Sequence, residues 1–119
     1  MQPLMSEQPD WLASFAAAES LTQAGVEALL RKHGARGRRA IEGVAENRVK
    51  QYRDFTVVVG HEGEYIVEGD SCTCADTRYN LSADNPAERC WHRLAVDIAH
   101  AVDTVDEFDL YYGDVASLL

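Results

Sequence analysis

Cys72-Thr73-Cys74 and Cys90-Trp91-His92 contain all three cysteines of this 119-residue chain and one of its four histidines. Three thiolates and one imidazole complete a tetrahedral zinc shell and leave no cysteine over. A closed shell of four protein ligands has no open position for a substrate or an activated water. The two motifs therefore predict one structural zinc ion and no catalytic activity at the metal.

The spacing within each motif suits a shared ion only if the two motifs differ in backbone conformation. On an extended segment, side chains two residues apart lie on the same face, so Cys72 and Cys74 can converge. On a helix, residues two apart point about 200° from each other. Cys90 and His92 can therefore share an ion only if Cys90 precedes a helix and His92 lies in its first turn.

Other chemistries of these residues are a disulfide within the first motif and a Cys90–His92 catalytic dyad. The dyad leaves two thiols unexplained, and no third group is indicated that would orient the histidine. Iron is the alternative to zinc in a thiolate-rich tetrahedral site. Because neither a signal peptide nor a membrane-spanning run is evident, we expect a cytoplasmic protein, whose thiols stay reduced and favour metal.

Helical periodicity dominates the chain before residue 48. The first helix is predicted over Asp10–Glu19, after a loose arm at residues 1–9, and its Trp11 and Phe15 either dock on the core or face a partner. A second helix begins at a capping box with Ser20 as N-cap and ends near His33. A third is predicted over residues 38–46, although Gly43 weakens it by about 1 kcal/mol relative to Ala.

An alternation with period two follows. Val49, Phe55, Val57 and Val59 share one parity, residues 60–63 form a turn, and residues 64–68 form a second strand that leads to Cys72. Apolar residues at helical spacing then follow Cys90. We predict an α+β fold with N-terminal helices packed on a small antiparallel β-hairpin or meander and a zinc-capped C-terminal helix. The expected segments are 1–19, 20–47, 48–105 and an acidic, aromatic tail at 106–119.

The segments YIVEGDSCTCAD, from Tyr65 to Asp76, and CWHRLAV, from Cys90 to Val96, resemble the SWIM-type zinc finger. That family has Cys-x-Cys, a variable gap and Cys-x-His, with an extended segment before and a helix after. The resemblance covers about residues 49–102 and implies a ββα core with Cys72, Cys74, Cys90 and His92 as ligands. It implies binding of DNA, RNA or protein without catalysis. The family often has a basic residue where this chain has Trp91, which weakens the expectation of a nucleic-acid contact there.

A basic segment lies inside an acidic protein whose formal net charge is −9. Its cations, with nearby aromatic residues, predict sequence-tolerant binding of nucleic acid, DNA more than RNA. They are Arg31, Lys32, Arg36, Arg38, Arg39, Arg48, Lys50 and Arg53. The alternative is a solvated face that neutralises acids elsewhere in the molecule. The acid-rich, lysine-poor composition also resembles that of proteins from salt-loving archaea, in which high salt would weaken a purely electrostatic grip.

Together these patterns predict a zinc module that binds nucleic acid through residues 31–53, in DNA repair, recombination or a related process. A protein-interaction adaptor with a structural zinc is the alternative, because Trp11, Phe15 and the aromatic tail could bind a partner. We expect neither a small-molecule substrate nor a membrane.

Overall fold

The structure is a computed structural model that describes residues 9–60, 63–68, 71–74 and 89–116. Residues 1–8 of the predicted loose arm lie outside these residues, and so do residues 75–88 between the two metal motifs. In chain order the elements are α1 (Asp10–Ala18), α2 (Gln23–His33), α3 (Ala35–Ala45), β1 (Val49–Gln51), β2 (Thr56–Val59), β3 (Glu64–Glu68), β4 (Ser71–Cys72), α4 (Trp91–Ala101), β5 (Asp106–Glu107) and α5 (Tyr112–Ala116). The predicted α+β class is confirmed.

The N-terminal helices have their predicted order but not all of their predicted ends. The N-cap of α2 is Thr22, whose hydroxyl accepts a hydrogen bond from the backbone N–H of Gly25 at 3.1 Å. The predicted cap at Ser20 is therefore wrong. Gly34, with φ of 56°, ends α2 and lets α3 begin at once, before its predicted start at Arg38. A left-handed residue between two helices is a position that favours glycine.

Helix α1 docks on the core of its own domain. Trp11 and Phe15 are both buried, and their rings form an edge-to-face pair with centroids 6.1 Å apart. Phe15 fits over Gly25 of α2 so closely that a Cβ at that glycine would lie 2.6 Å from the phenyl ring. The interpretation of Trp11 and Phe15 as exposed partner anchors is wrong, because the apolar surface of α1 is covered by its neighbours.

The sheet has the strand order β4-β3-β2-β1-β5. The antiparallel pairing of β2 with β3 and of β3 with β4 agrees with the predicted hairpin or meander, whereas the single strand expected over residues 49–59 is two strands, β1 and β2, which pair antiparallel with each other. Strand β5 pairs parallel to β1, so the sheet is mixed. Parallel pairing of such distant segments leaves no local signal in the sequence, because no turn links them.

Reversal of the chain between β1 and β2 changes which valines share a face. Tyr52 donates a backbone hydrogen bond to the carbonyl of Phe55 at 2.8 Å in this turn. Val49 therefore pairs with Val58, an even-numbered partner, and both are core residues. Val57 is buried on the opposite face. The single parity predicted for Val49 and Val57 fails because antiparallel register is set by the turn and not by residue number.

Helix α4 packs on the sheet and on α3. Its Leu94 and Ile98 are fully buried in a core that also includes Val49, Val58 and Val67 of the three central strands. A Cβ at Gly43 of α3 would lie 3.0 Å from the Trp91 ring, so the missing side chain permits close approach of the two helices. None of the described helices is both long and apolar enough to cross a membrane.

The chain after α4 returns along the outer edge of the sheet. The Lys50 ammonium pairs with the Asp106 carboxylate at 2.6 Å between β1 and β5. Asp54 accepts backbone hydrogen bonds from Tyr112 at 2.6 Å and Gly113 at 3.3 Å. Tyr52 stacks on Phe108 with centroids 5.2 Å apart. The predicted tail thus covers the sheet edge, but Phe108, Leu110 and Tyr111 remain exposed.

Candidate metal centre

Four residues from two distant segments meet where β4 approaches the start of α4. Cys72 ends β4, and Cys74 follows it after one residue. Cys90 is the N-cap of α4 with extended backbone angles, φ −69° and ψ 164°, and His92 is the second residue of the helix. This is the arrangement that the two spacings required: Cys90 stands outside the helix and His92 lies in its first turn.

The donor atoms of Cys72, Cys74, Cys90 and His92 all lie within 4.8 Å of one another. A tetrahedral zinc site with Zn–S bonds of about 2.3 Å has ligand atoms about 3.8 Å apart. The four donors therefore need to close by about 1 Å or less to bind one ion. Cys74, Cys90 and His92 are buried and Cys72 is half-buried, so an ion here would have little contact with water.

The His92 side chain provides an independent test of whether these residues fit a metal. The residue is only 4 % exposed, and within the described part of the chain neither Nδ1 nor Nε2 has a hydrogen-bond partner. An unpaired polar group in the interior costs about 1–3 kcal/mol. A metal ion bound to one ring nitrogen would give that nitrogen the partner that it otherwise lacks. The buried donor set thus fits a metal ion.

Two aromatic rings lie against the His92 imidazole. The Tyr65 ring centre lies 4.1 Å away at an interplanar angle of 33°, and the Trp91 ring centre lies 4.0 Å away at 36°. These contacts restrict rotation of the imidazole and keep its nitrogens near the thiols. No such role was predicted for Tyr65. Tyr65 and Val67 are two residues apart on β3, so their side chains lie on the same face of the sheet. Val67 pairs with Cys72 on β4, which places Tyr65 on the face that carries this thiol.

The thiols also interact with one another. A side-chain hydrogen bond with Cys90, together with burial, raises the pKa of the Cys72 thiol above its usual range. A cation among the sulfurs would favour the thiolate forms instead, since a bound metal deprotonates a coordinating thiol. The N-terminus of α4 adds a favourable interaction with the resulting negative charge. Metal binding at this site therefore involves release of protons.

A cavity of about 410 Å³ opens beside the candidate metal centre. Cys74 and His92 contribute to its wall, so the cavity adjoins the site itself. The remaining lining residues are Ala35, Arg36, Arg39, Tyr65 and Trp91. The Arg39 guanidinium carbon lies 6.0 Å from the centre of the Trp91 ring, which is within the range of a cation–π contact.

The predicted basic segment divides into two groups. On and around β1, three cations pair with carboxylates: Arg48 with Glu46, Lys50 with Asp106, and Arg53 with Asp109. These pairs reduce the positive charge that this part of the segment offers to a phosphate. On α2 and α3, the exposed residues Arg31, Lys32, Arg38 and Arg39 make no ion pair with any carboxylate in the described ranges. Arg36 of α3 is half-buried at the cavity.

The fold and site define an α+β protein with a Cys₃His candidate metal centre between a strand end and a helix start. The chain is 44 % identical over 93 residues to a protein of Archaeoglobus fulgidus whose name is "Uncharacterized protein". The match covers 78 % of this chain and 79 % of the relative, and the chain therefore belongs to the same family as that protein. No family model matches the chain, and no solved structure matches it. The relative's name states no activity, so the family relation carries none to this chain.

The matched length shows that the likeness is not confined to the metal-binding segment. Ninety-three residues are more than the stretch 49–102 contains, so the match also includes part of the N-terminal helices, of the C-terminal segment, or of both.

Proposed function

We propose that this protein is a SWIM-type zinc-binding module without catalytic activity that binds nucleic acid through the exposed cations of α2 and α3. The meeting of three cysteines and one histidine at a single buried point carries the metal part of the proposal. Zinc is favoured because thiolate-rich tetrahedral sites select it, and a four-ligand shell is typical of structural zinc. The location we propose is cytoplasmic, where thiols stay reduced and can bind a metal.

The metal part is tested by elemental analysis of protein purified without added metal. We expect one zinc ion per chain and none after substitution of the ligands. Replacement of the zinc by cobalt should give the visible spectrum of a tetrahedral thiolate site. A metal content near zero in protein that is folded and fully reduced would contradict the assignment, and iron at unit stoichiometry would correct it.

Four exposed cations on adjacent helices support the nucleic-acid part. Arg31 and Lys32 lie in the last turn of α2, and Arg38 and Arg39 lie on the helix that follows immediately. Because no described carboxylate pairs with them, their charge is available to phosphates. The paired cations near β1 contribute less. The proposal therefore narrows the predicted segment 31–53 to residues 31–39.

Binding of single- and double-stranded oligonucleotides across a salt series tests this part. Each phosphate contact lowers log affinity by about 0.7–0.9 per decade of salt, so four contacts give a slope of about −3. The double substitution Arg38→Glu/Arg39→Glu should abolish binding at low salt, whereas Arg53→Glu, which removes a cation already paired with Asp109, should have a small effect. Absence of binding by the zinc-loaded protein even at low salt would end the proposal.

A second candidate function is a protein-interaction adaptor. It is supported by Phe108, Leu110 and Tyr111, which stay 40–53 % exposed on one short segment. Aromatic and large apolar residues are frequent interface hot spots. Substitution of Leu110 and Tyr111 by Ser should then abolish binding of a purified partner and leave oligonucleotide binding unchanged. The alternative fails if these substitutions do not alter any association that the full chain makes.

A further inference from the structure

We propose that the cavity beside the candidate metal centre accepts one unstacked nucleotide of a single-stranded nucleic acid. This inference rests on the proposed function and deepens it, because it names the strand type and the place where a base is held. The exposed cations of α2 and α3 would then contact the phosphates that flank that nucleotide.

The size and lining of the cavity suit such a ligand. At about 410 Å³ it lies within the range of about 300–1,000 Å³ that small-molecule sites occupy. Aromatic side chains with a few polar groups are the usual lining of such sites, and here Tyr65 and Trp91 are combined with Arg36 and Arg39. Every base has a π-face, so an aromatic wall holds bases with little dependence on sequence.

The aromatic wall is already ordered before any ligand arrives. Tyr65 and Trp91 are each half-buried and each lies against the His92 ring, while the six-membered part of the Trp91 ring approaches Gly43. Rings fixed in this way lose little conformational freedom on binding, which lowers the entropic cost of association. Trp91, which replaces the basic residue expected from the SWIM pattern, would thus contribute a stacking surface instead of a charge.

The charge around the cavity favours an anionic ligand. Arg39 of α3 lines the cavity, and no carboxylate of the described residues forms an ion pair with it. A guanidinium can stack on an aromatic ring and bind a phosphate with two parallel hydrogen bonds. Arg39 is exposed and lies over Trp91, so it can contact a phosphate at the mouth of the cavity while the base occupies the aromatic part.

The same geometry favours a single strand over a duplex. A base inside a duplex is stacked and paired, and its extrusion costs a few kcal/mol. A cavity of this size receives a base without that cost only when the strand is already unpaired. The exposed cations alone would not discriminate in this way, because they contact phosphates that both forms present.

The test compares Arg39→Gln with Arg38→Gln in the full-length, zinc-loaded protein. Both variants lose one charge from the same helix, but only Arg39 lines the cavity. Affinities for a labelled oligothymidine of about ten nucleotides and for a hairpin duplex are measured by fluorescence anisotropy at low salt. Metal content and far-UV circular dichroism confirm that each variant is folded.

We expect the wild-type protein to bind the single strand about tenfold more tightly than the duplex, the size of one base-stacking contact. Arg39→Gln should lose about tenfold on the single strand and about threefold on the duplex, whereas Arg38→Gln should lose about threefold on both. Arg39→Lys should restore duplex binding but only part of the single-strand preference, because a lysine keeps the charge without the planar group.

Two results would overturn the inference, and they differ in what they say about the proposed function. Equal losses from Arg38→Gln and Arg39→Gln on both ligands would leave the basic surface in place and remove the cavity from the binding site. No binding of either oligonucleotide by the wild-type protein at low salt would end the cavity proposal and the nucleic-acid proposal together.

Discussion

The helical layer, α1–α3, and the metal corner, formed by Cys72, Cys74, Cys90 and His92, are held together by different forces. In the helical layer, apolar side chains pack against one another: Phe15 and Leu29 are fully buried in a continuous apolar core. In the metal corner, sulfur and nitrogen donors are buried, and the His92 nitrogens have no partner among the described residues. Apolar packing stabilises the first region by itself, whereas the buried sulfur and nitrogen donors of the second region fit a bound cation.

The largest expected effect comes from removal of a ligand. Cys90→Ser should reduce the metal content from one ion per chain to near zero and lower the free energy of unfolding by about 5 kcal/mol or more. Structural zinc contributes about 10–16 kcal/mol to the folding of zinc-finger peptides. The expected loss is smaller here because the apolar core stabilises the rest of the domain without the ion. Elemental analysis and urea unfolding measure the two quantities. Ser71→Ala, a neighbouring substitution outside the ligand set, should change neither, and full metal content in Cys90→Ser would refute the ligand assignment.

A substitution in the helical layer should affect stability without affecting the metal. Phe15→Ala removes a fully buried ring and should cost about 3–4 kcal/mol in urea unfolding, as for other buried phenylalanines. Metal content should stay at one ion per chain. Leu30→Ala is the matched control, because Leu30 is 37 % exposed and its truncation should cost less than about 1 kcal/mol. Loss of the ion in a folded Phe15→Ala variant would show that the two regions are not independent.

The ion pair between β1 and β5 should contribute much less than either region. Asp106→Asn removes the carboxylate that faces the Lys50 ammonium, and pairs with this degree of exposure contribute about 0–1 kcal/mol. Urea unfolding at low and at molar salt is the measurement, and the difference from wild type should shrink at high salt. Glu107→Gln serves as the control on the same strand. A loss above about 2 kcal/mol would mean that β5 is an integral part of the core.

The smallest effect concerns pH in the helical layer. Burial against α1 lowers the pKa of His33 below its usual 6.5, and the neighbouring cations Lys32, Arg89 and Arg36 lower it further. The unfolded chain therefore binds more protons than the folded one below pH 6.5, and stability should fall as pH decreases through the folded pKa. The contribution of the neutral His33 side chain to stability is fully present above pH 6.5. NMR titration of His33 gives the pKa, and His33→Gln should flatten this part of the stability curve. A His33 pKa above 6.5 would contradict the expectation.

Local patterns in the sequence predicted much of this architecture. The two metal motifs, the strand at residues 64–68 and the helix after Cys90 all follow from periods of two or 3.6 residues, which backbone geometry imposes on any chain. The N-cap at Ser20 failed because Thr22, two residues on, has the same hydroxyl chemistry. Nothing in a local window decides between them, since the choice depends on how α2 packs against α1.

Contacts between distant residues were harder to predict. Asp106 and Asp109 each pair with a cation 56 positions earlier in the chain, and these pairs divide the predicted basic segment in two. The approach of Trp91 to Gly43 likewise explains a glycine that had only weakened the helix prediction. No sequence spacing could reveal the two ion pairs or the contact of Trp91 with Gly43, because all three depend on how separate elements pack against each other.

The sequence by itself determined the candidate metal ligands, since the chain has only three cysteines and their spacings require a strand end followed by a helix start. The tertiary structure alone decided what surrounds those ligands: the rings of Tyr65 and Trp91 against His92, the adjoining cavity, and the cations of α2 and α3 that form no ion pair within the described residues. Ligand chemistry is a property of residue type and spacing, whereas surroundings arise when elements far apart in the chain pack together to bury apolar surface.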